Sequence, residues 1–128
     1  MRVVIAGGGE FGVRLAESFS KDDVILIEKD ESRAESLGEK LHAVVLFGSA
    51  ADKTVLRHAS AEKCDALFVV TGDDKTNASV CELAKSMGVK KIVSRLNDAS
   101  NLGLFSGVVT INVMDSAVRE FMKAAKKR

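Results

Sequence analysis

A cluster of glycines near the N-terminus has the spacing that binds the phosphates of a dinucleotide. Gly7, Gly9 and Gly12 form a G-x-G-x-x-G pattern directly after the apolar segment 2–6. In this pattern the first glycine makes a tight turn, the second lets the backbone approach a pyrophosphate, and the third lets a helix pack close to a strand. The N-terminus of that helix then faces the phosphates. The pattern predicts nucleotide binding, and a purely structural glycine turn is the alternative.

An acidic residue ends the second apolar segment at the distance that the same fingerprint requires. Glu28 lies 21 residues after Gly7. A carboxylate at this position accepts hydrogen bonds from adenosine ribose hydroxyls and repels a 2′-phosphate, which favours NAD(H) over NADP. A solvated strand-end acid is the alternative interpretation. Asp30, two residues further on, either assists Glu28 or caps the following helix.

Polar residues also follow the third, fourth and fifth apolar segments. Ser49 and Ala50 come after the third, Thr71, Gly72 and Asp73 after the fourth, and Arg95 after the fifth. Parallel strands bring these ends to one edge of a sheet, where ligands bind. Ser49 is a candidate for contact with the adenine base, and Arg95 for contact with a phosphate. The alternatives are a helix-capping role for Asp73 and a surface ion pair for Arg95.

Six short apolar segments separated by helical patterns must position these residues. Continuous rather than alternating apolar segments indicate parallel strands buried on both faces. The predicted strands are residues 2–6, 24–28, 43–47, 66–70, 91–94 and 108–112, and the predicted helices are residues 11–19, 31–41, 52–59, 73–87, 98–104 and 113–126. This alternation predicts an α/β fold, a single Rossmann-like doubly wound parallel sheet of about six strands in the order 3-2-1-4-5-6 with helices on both faces.

The amino-acid composition disfavours several kinds of partner and site. The chain has 128 residues, 46% of them hydrophobic and 29% charged, with a net charge of +1. A balanced charge disfavours nucleic acid as a partner, and no apolar segment approaches the length of a membrane span, so no direct membrane insertion is expected. Cys64 and Cys81 have no metal-binding or redox spacing, so no metal site is predicted and a reduced intracellular setting is expected.

The residues needed for catalysis are scarce, so we do not expect an enzyme. The chain has no tyrosine, which excludes the Tyr-x-x-x-Lys pair of short-chain dehydrogenases, and it has no room for a substrate domain. His42 and His58 fit packing or surface roles, and Cys81 falls on a core-facing helical position. The alternative is a small NAD-dependent oxidoreductase or an S-adenosylmethionine-dependent enzyme that uses the same glycine turn.

The whole series of motifs resembles the RCK or KTN domain, the N-terminal nucleotide-binding (TrkA-N) domain of TrkA-type regulators of potassium conductance. The motifs are the glycine pattern, Ile27-Glu28-Lys29-Asp30, Gly48-Ser49-Ala50, Thr71-Gly72-Asp73-Asp74 with Asn77, and Ser94-Arg95-Leu96-Asn97-Asp98. The resemblance implies a cytoplasmic Rossmann domain that binds NAD(H) or an adenine nucleotide such as ATP, ADP or AMP. It also implies a homodimer or larger ring held at the inner face of the cell membrane by an integral potassium channel or transporter, which ligand exchange gates through a population shift.

The resemblance assigns roles to the motif residues. Gly7, Gly9 and Gly12 would hold the phosphates and Glu28 the ribose. Ser49 and Ala50 would contact the adenine region of the ligand. Its far side would contact Thr71, Asp73 and Arg95. The remaining candidate cofactor-binding residues lie within or beside the same motifs: Glu10, Phe11, Lys29, Asp30, Gly72 and Asn77.

The chain departs from the family pattern in three places. Ser49 replaces the usual Asp or Asn beside the adenine. Glu10 replaces an Arg that helps hold the terminal phosphate in ATP-binding members, which disfavours a triphosphate; its alternative role is a favourable charge in the first helical turn. The family's C-terminal domain is absent, so residues 1–128 are either part of a longer protein or a minimal form.

The last predicted helix has an apolar stripe that could serve assembly. The stripe consists of Met114, Val118, Phe121, Met122 and Ala125. It packs either on the sheet of its own chain or on a second subunit, and the dimers of the family favour the second subunit.

Overall fold

A six-stranded parallel sheet forms the centre of the structure, a computed structural model that describes residues 1–127. The strand order β3-β2-β1-β4-β5-β6 confirms the prediction, and every neighbouring pair is parallel. The strands are β1 (Arg2–Ala6), β2 (Asp23–Glu28), β3 (Val44–Phe47), β4 (Ala66–Val69), β5 (Ile92–Leu96) and β6 (Val109–Asn112). The chain therefore reverses direction across the sheet between β1 and β4, which is where nucleotides bind in such folds.

Four α-helices and two short 3-10 helices connect the strands of residues 1–127, and a fifth α-helix follows β6. The α-helices are α1 (Glu10–Ser18), α2 (Glu31–Lys40), α3 (Lys53–His58), α4 (Asp74–Ser86) and α5 (Val113–Lys126). Residues 99–104 form a 3-10 helix where a short helix was predicted, and Ala61–Lys63 form a second one that was not predicted. Three residues are too few to show helical periodicity, so the sequence carries no signal for this turn.

The core lies on both faces of the sheet, which explains the continuous apolar strands. In β1, Val4 and Ala6 join the cluster beneath α3 and α4, whereas Val3 and Ile5 join the cluster beneath α1 and α2. All four side chains are fully buried. Alternate residues of a strand point to opposite faces, so burying both faces requires apolar residues at every position.

Aspartates begin most of the helices at the same edge of the sheet. Asp30, Asp52 and Asp73 each accept a hydrogen bond from a backbone N–H in the first turn of α2, α3 and α4, at 2.9, 2.9 and 3.3 Å. The helix α1 differs, because its N-cap is Gly9 and no side chain caps it. Its first N–H groups are therefore directed toward the sheet edge without a side-chain acceptor.

The helix α5 buries none of its residues, unlike the other four α-helices of residues 1–127. Its predicted stripe does not pack on the sheet of its own chain: Met114 is 70% and Phe121 79% exposed. No helix within the described residues has the length and hydropathy needed to cross a membrane.

Candidate nucleotide-binding cavity

A cavity of about 730 Å³ lies at the carboxyl ends of the central strands, between the glycine turn and the segments that follow β2, β3 and β4. This volume suits a nucleotide-sized ligand. The cavity brings together twelve of the residues that the sequence singled out: Gly7, Gly9, Glu10, Phe11, Glu28, Lys29, Ser49, Ala50, Thr71, Gly72, Asp73 and Arg95. The other three, Gly12, Asp30 and Asn77, do not line it.

The glycine turn needs its glycines for three different physical reasons. Gly7 has a φ of +122°, and a Cβ there would lie 3.1 Å from the backbone nitrogen of Thr71. A Cβ on Gly12 would lie 1.8 Å from the carbonyl oxygen of Gly7, so α1 can approach β1 only with a glycine at this position. A Cβ on Gly9 would meet no atom within 4 Å. Gly9 therefore leaves open space beside the uncapped start of α1, where an anion can approach the backbone.

Glu28 holds the glycine turn as well as facing the cavity. Its side chain is only 8% exposed, and its two carboxylate oxygens accept hydrogen bonds from the backbone N–H groups of Gly8 at 3.0 Å and Asp30 at 2.7 Å. Arg33 donates from Nε to the carbonyl oxygen of Gly8 and fixes the turn from the other side. Each carboxylate oxygen keeps a further lone pair, so Glu28 can still accept ribose hydroxyls.

Two aspartates that the sequence left open between capping and ligand contact have different positions. Asp30 caps α2 and lies outside the cavity lining. Asp73 caps α4 and also lines the cavity, and its carboxylate accepts a hydrogen bond from the hydroxyl of Thr76 at 2.6 Å. This hydrogen bond is the main cause that lowers the pKa of Asp73 below its ordinary value, so the rim of the cavity carries a stable negative charge.

Asn77 positions the strand ends from below the cavity. Its side chain is fully buried, with Oδ1 accepting from the N–H of Thr71 at 3.1 Å. Its Nδ2 donates to the carbonyl oxygens of Thr71 at 3.0 Å and Arg95 at 3.1 Å. The amide thus joins the ends of β4 and β5 through backbone groups, and it has no face toward the cavity.

A buried carboxylate next to this amide extends the network beyond β5. Asp74 is 4% exposed and accepts four hydrogen bonds, from the backbone N–H groups of Asn97 and Asp98 and from the side-chain amides of Asn97 and Asn101. Burial acts to raise the pKa of Asp74, but the four donors outweigh it and the pKa lies below its ordinary value. These partners lie 23 to 27 residues away along the chain, so the sequence gives no sign of this network around Asp74.

The cavity lining includes three basic residues, Arg95, Lys29 and Arg14. The guanidinium carbon of Arg95 lies 5.2 Å from the centre of the Phe11 ring, and the buried Nε of Arg95 has no hydrogen-bond acceptor within residues 1–127. Arg95 takes part in none of the salt bridges of these residues, so the surface ion pair considered as the alternative to phosphate contact does not form among them. Phe11, 38% exposed, lies at the cavity and outside both core clusters.

Several lining residues were not singled out from the sequence. They are Gly8, Arg14, Ile27, Gly48, Val70 and Thr76. For two of them, Arg14 and Thr76, the helical spacing of the sequence could have indicated a position near the cavity. Arg14 lies four residues after Glu10 on α1, and Thr76 lies in the first turn of α4. The others are glycines and apolar residues that reach the cavity only because the strands end there.

The histidines and cysteines, which are the residue types most often used in catalysis, lie outside the cavity lining. His42 and His58 are exposed, and neither lines the cavity. Cys64 and Cys81 are buried, and burial raises the pKa of both thiols. Within residues 1–127 no three His, Cys, Asp or Glu side chains are grouped so that they could hold a metal ion.

Comparison with curated proteins relates the chain to potassium-uptake proteins. It is 44% identical over 99 residues to the "Trk system potassium uptake protein TrkA homolog" of Archaeoglobus fulgidus, which covers 77% of this chain and 22% of that protein. It is 41% identical over 108 residues to the Halomonas elongata protein "Trk system potassium uptake protein TrkA", covering 83% of this chain and 24% of that protein. The chain therefore spans about a quarter of the length of these relatives.

Solved structures share the fold. The TrkA-N domain of the inner membrane protein ybaL from Escherichia coli matches with a TM-score of 0.84 at 16% identity, over 96% of this chain and 95% of that one. The GsuK channel bound to NAD matches with a TM-score of 0.71 at 20% identity, over 84% and 21%. The Kef C-terminal domain of Shewanella denitrificans in its AMP-bound form matches with a TM-score of 0.74 at 24% identity, over 99% and 83%.

The family comparison covers most of the chain. The TrkA-N domain family matches residues 3–117, which include the glycine turn, Glu28, strands β2 to β6 and all of β1 except Arg2. The strand order, the cavity at the reversal between β1 and β4 and this match agree with one another. The chain belongs to the TrkA-N domain family.

Proposed function

We propose that this chain is a regulatory domain that binds NAD(H) or an adenine nucleotide in the cavity and thereby controls a membrane potassium channel or transporter. The observation that carries the proposal is the joint lining of one cavity by the G-x-G-x-x-G turn and the buried Glu28 carboxylate. The turn offers backbone N–H groups for phosphates, and the carboxylate offers acceptors for ribose hydroxyls. On this proposal residues 1–128 form one nucleotide-binding domain, and the fifteen residues predicted from the sequence remain its candidate ligand site.

The relatives support the regulatory part of the proposal. Curated relatives are named as Trk potassium uptake proteins, and proteins with this fold have been solved as a channel with NAD and as a Kef domain with AMP. Both histidines and both cysteines, the residues most suited to proton transfer or nucleophilic attack, lie outside the cavity. We therefore propose a ligand-sensing, non-catalytic role at the cytoplasmic face of the membrane.

The unburied helix α5 supports assembly into a dimer or larger ring. The edge strand β6, which directly precedes α5, also exposes apolar residues, since Val109 is 54% and Ile111 44% exposed. Large exposed apolar surfaces mark interaction sites in soluble proteins. A second copy of this chain is the proposed occupant, and the two copies would couple ligand binding to the arrangement of the assembly.

Thermal unfolding with a set of ligands tests the proposal. The purified chain is heated with NAD+, NADH, NADP+, ATP, ADP, AMP or S-adenosylmethionine at equal concentrations. A ligand at a hundred times its Kd raises the free energy of unfolding by about 2.7 kcal/mol, which shifts the Tm by several degrees. We expect stabilisation by NAD(H) or an adenine nucleotide and a smaller effect of NADP+, because Glu28 repels a 2′-phosphate.

Two results would contradict the proposed function. A chain that no ligand in the set stabilises has no functional nucleotide site. A chain stabilised by S-adenosylmethionine alone is a candidate methyltransferase instead. Incubating the chain with NADH and following its absorbance checks the non-catalytic role, because an oxidoreductase would consume NADH when supplied with a carbonyl substrate.

A further inference from the structure

Arg14 is a cation that forms no salt bridge within residues 1–127. It lies on α1 one turn after Glu10 and is exposed. An anion bound in the cavity that Arg14 lines would pair with its guanidinium.

The direction of the Arg14 side chain brings its guanidinium close to the glycine turn. Side chains on a helix lean toward its N-terminus, so Arg14 extends back along α1 toward the turn. Backbone N–H groups at Gly9 and the first turn can satisfy one phosphate. The guanidinium of Arg14 arises one turn further along and can reach a second phosphate.

Arg95 approaches the same place from the opposite side of the cavity. Its guanidinium lies over the Phe11 ring, and its buried Nε has no acceptor within the described residues. Phe11 and Arg14 are three residues apart on α1 and therefore share a helix face. Both arginines therefore line the cavity near Phe11, and neither has a salt-bridge partner within residues 1–127.

Bulk charge cannot explain a preference of this cavity for anions. Its lining includes three acidic residues, Glu10, Glu28 and Asp73, and three basic ones, Arg14, Lys29 and Arg95. These charges balance, so any selectivity must arise from where the cations lie. Guanidinium groups are suited to that task because their planar donors pair with phosphate oxygens.

We propose that Arg14, together with Arg95, binds the second phosphate of a nucleoside diphosphate unit and makes the cavity discriminate ADP and NAD(H) from AMP. This inference rests on the proposed function, since it assumes that a nucleotide occupies the cavity. Arg14 is then the specificity-determining residue of the site, and the glycine turn supplies the binding that all adenine nucleotides share.

Isothermal titration calorimetry of the 128-residue chain with AMP, ADP and NAD+ tests the inference. The unsubstituted chain should bind ADP and NAD+ about tenfold more tightly than AMP, the gain expected from one charge-assisted pair. Arg14→Gln should weaken ADP and NAD+ by about tenfold and change AMP by less than about twofold. Arg57→Gln is the matched control, because Arg57 is an exposed helical arginine outside the cavity.

Each contrary result has a distinct meaning. Equal affinities for AMP and ADP in the unsubstituted chain overturn the inference and leave the proposed function standing. Equal losses for AMP and ADP in Arg14→Gln, or equal losses in Arg57→Gln, also overturn it, because they show a general charge effect. Absence of binding by all three nucleotides overturns the proposed function itself. Arg14→Lys keeps the positive charge of the side chain without its planar donors. Circular dichroism of the variants checks that they fold.

Discussion

The carboxylate of Glu28 combines two tasks that are usually considered separately. It supports the glycine turn through Gly8 and faces the cavity where a ribose would bind. A substitution at Glu28 therefore acts on the shape of the phosphate site as well as on sugar recognition. Because Glu28 has both roles, a substitution there cannot change the preference for NAD(H) over NADP without also affecting the stability of the glycine turn.

Glu28→Gln should weaken NAD+ binding and reduce its preference over NADP+. The amide keeps the size of the side chain but removes the charge that repels a 2′-phosphate, and its NH2 group faces one of the two backbone N–H donors. Titration calorimetry with both dinucleotides measures the ratio of affinities. Glu35→Gln, an exposed acid on α2, is the control; an unchanged NAD+/NADP+ ratio in Glu28→Gln would show that Glu28 does not recognise the ribose.

Gly12 and Gly38 give opposite predictions for the same substitution. Gly12→Ala should destabilise the chain by more than about 3 kcal/mol, since its Cβ would collide with the carbonyl of Gly7 at 1.8 Å. Gly38→Ala should stabilise it by about 0.4–1 kcal/mol, because Gly38 is an exposed helical residue with nothing within 4 Å. Urea unfolding measures both changes. Equal effects at the two sites would contradict the close approach of α1 to β1.

Asp74 makes the free energy of unfolding depend on pH in the acid range. Its pKa is lowered in the folded chain, so its contribution is complete above the ordinary aspartate pKa of about 3.9 and is lost as the pH falls through the folded pKa. Asp74→Asn should cost about 1–3 kcal/mol at neutral pH, because an amide NH2 would face the N–H donors of residues 97–101. The difference from the unsubstituted chain should shrink below about pH 4.

Unfolding measured as a function of pH checks this prediction. Asp65→Asn is an informative comparison, because that carboxylate accepts one hydrogen bond, from the N–H of Arg2, rather than four. A loss for Asp74→Asn that stays constant from neutral to strongly acidic pH would show that the carboxylate charge is not what the network stabilises.

At the scale of elements, the helices divide into four that complete the core and one that does not. The helices α1 to α4 each bury residues against the sheet, whereas α5 buries none. The stripe on α5 had the same spacing in the sequence as a core-facing stripe. Periodicity identifies an apolar face, but it cannot say which surface covers that face, because the covering atoms can belong to another molecule.

Phe121→Ala combined with Met122→Ala should convert a dimer to a monomer. These two residues are 79% and 53% exposed and lie at the centre of the α5 stripe, and aromatic and Met residues supply much of the binding energy of interfaces. Light scattering after size exclusion gives the mass before and after substitution. Phe47→Ala, at an exposed position on the opposite edge strand, should leave the mass unchanged; a monomeric unsubstituted chain would contradict the proposed assembly.

For the whole molecule, the sequence was sufficient wherever structure depends on residues close together in the chain. The apolar strands and the G-x-G-x-x-G turn follow from local chemistry, and so do the helix caps that the sequence offered for Asp30 and Asp73 as one of two roles. The strand order followed from the crossover rules, which admit few arrangements for six alternating strands.

The parts that could not be predicted depend on contacts between distant residues. The amide of Asn77 is buried against Thr71 and Arg95, and Asp74 gathers donors from a loop after another strand. Arg14 reaches the cavity because α1 is drawn against β1 by Gly12. No periodicity in the sequence records which polar side chains the fold brings together in this way.

Phe11, held beneath the guanidinium of Arg95 at the rim of the cavity, also makes the chain convenient for optical spectroscopy. The chain contains neither tryptophan nor tyrosine, so phenylalanine alone contributes to its aromatic absorbance. Phe11→Trp would introduce the sole indole of the chain at a partly exposed position that has room for it. Its emission would then respond to every change around Arg95, and a bound reduced nicotinamide would quench it by accepting the excitation energy.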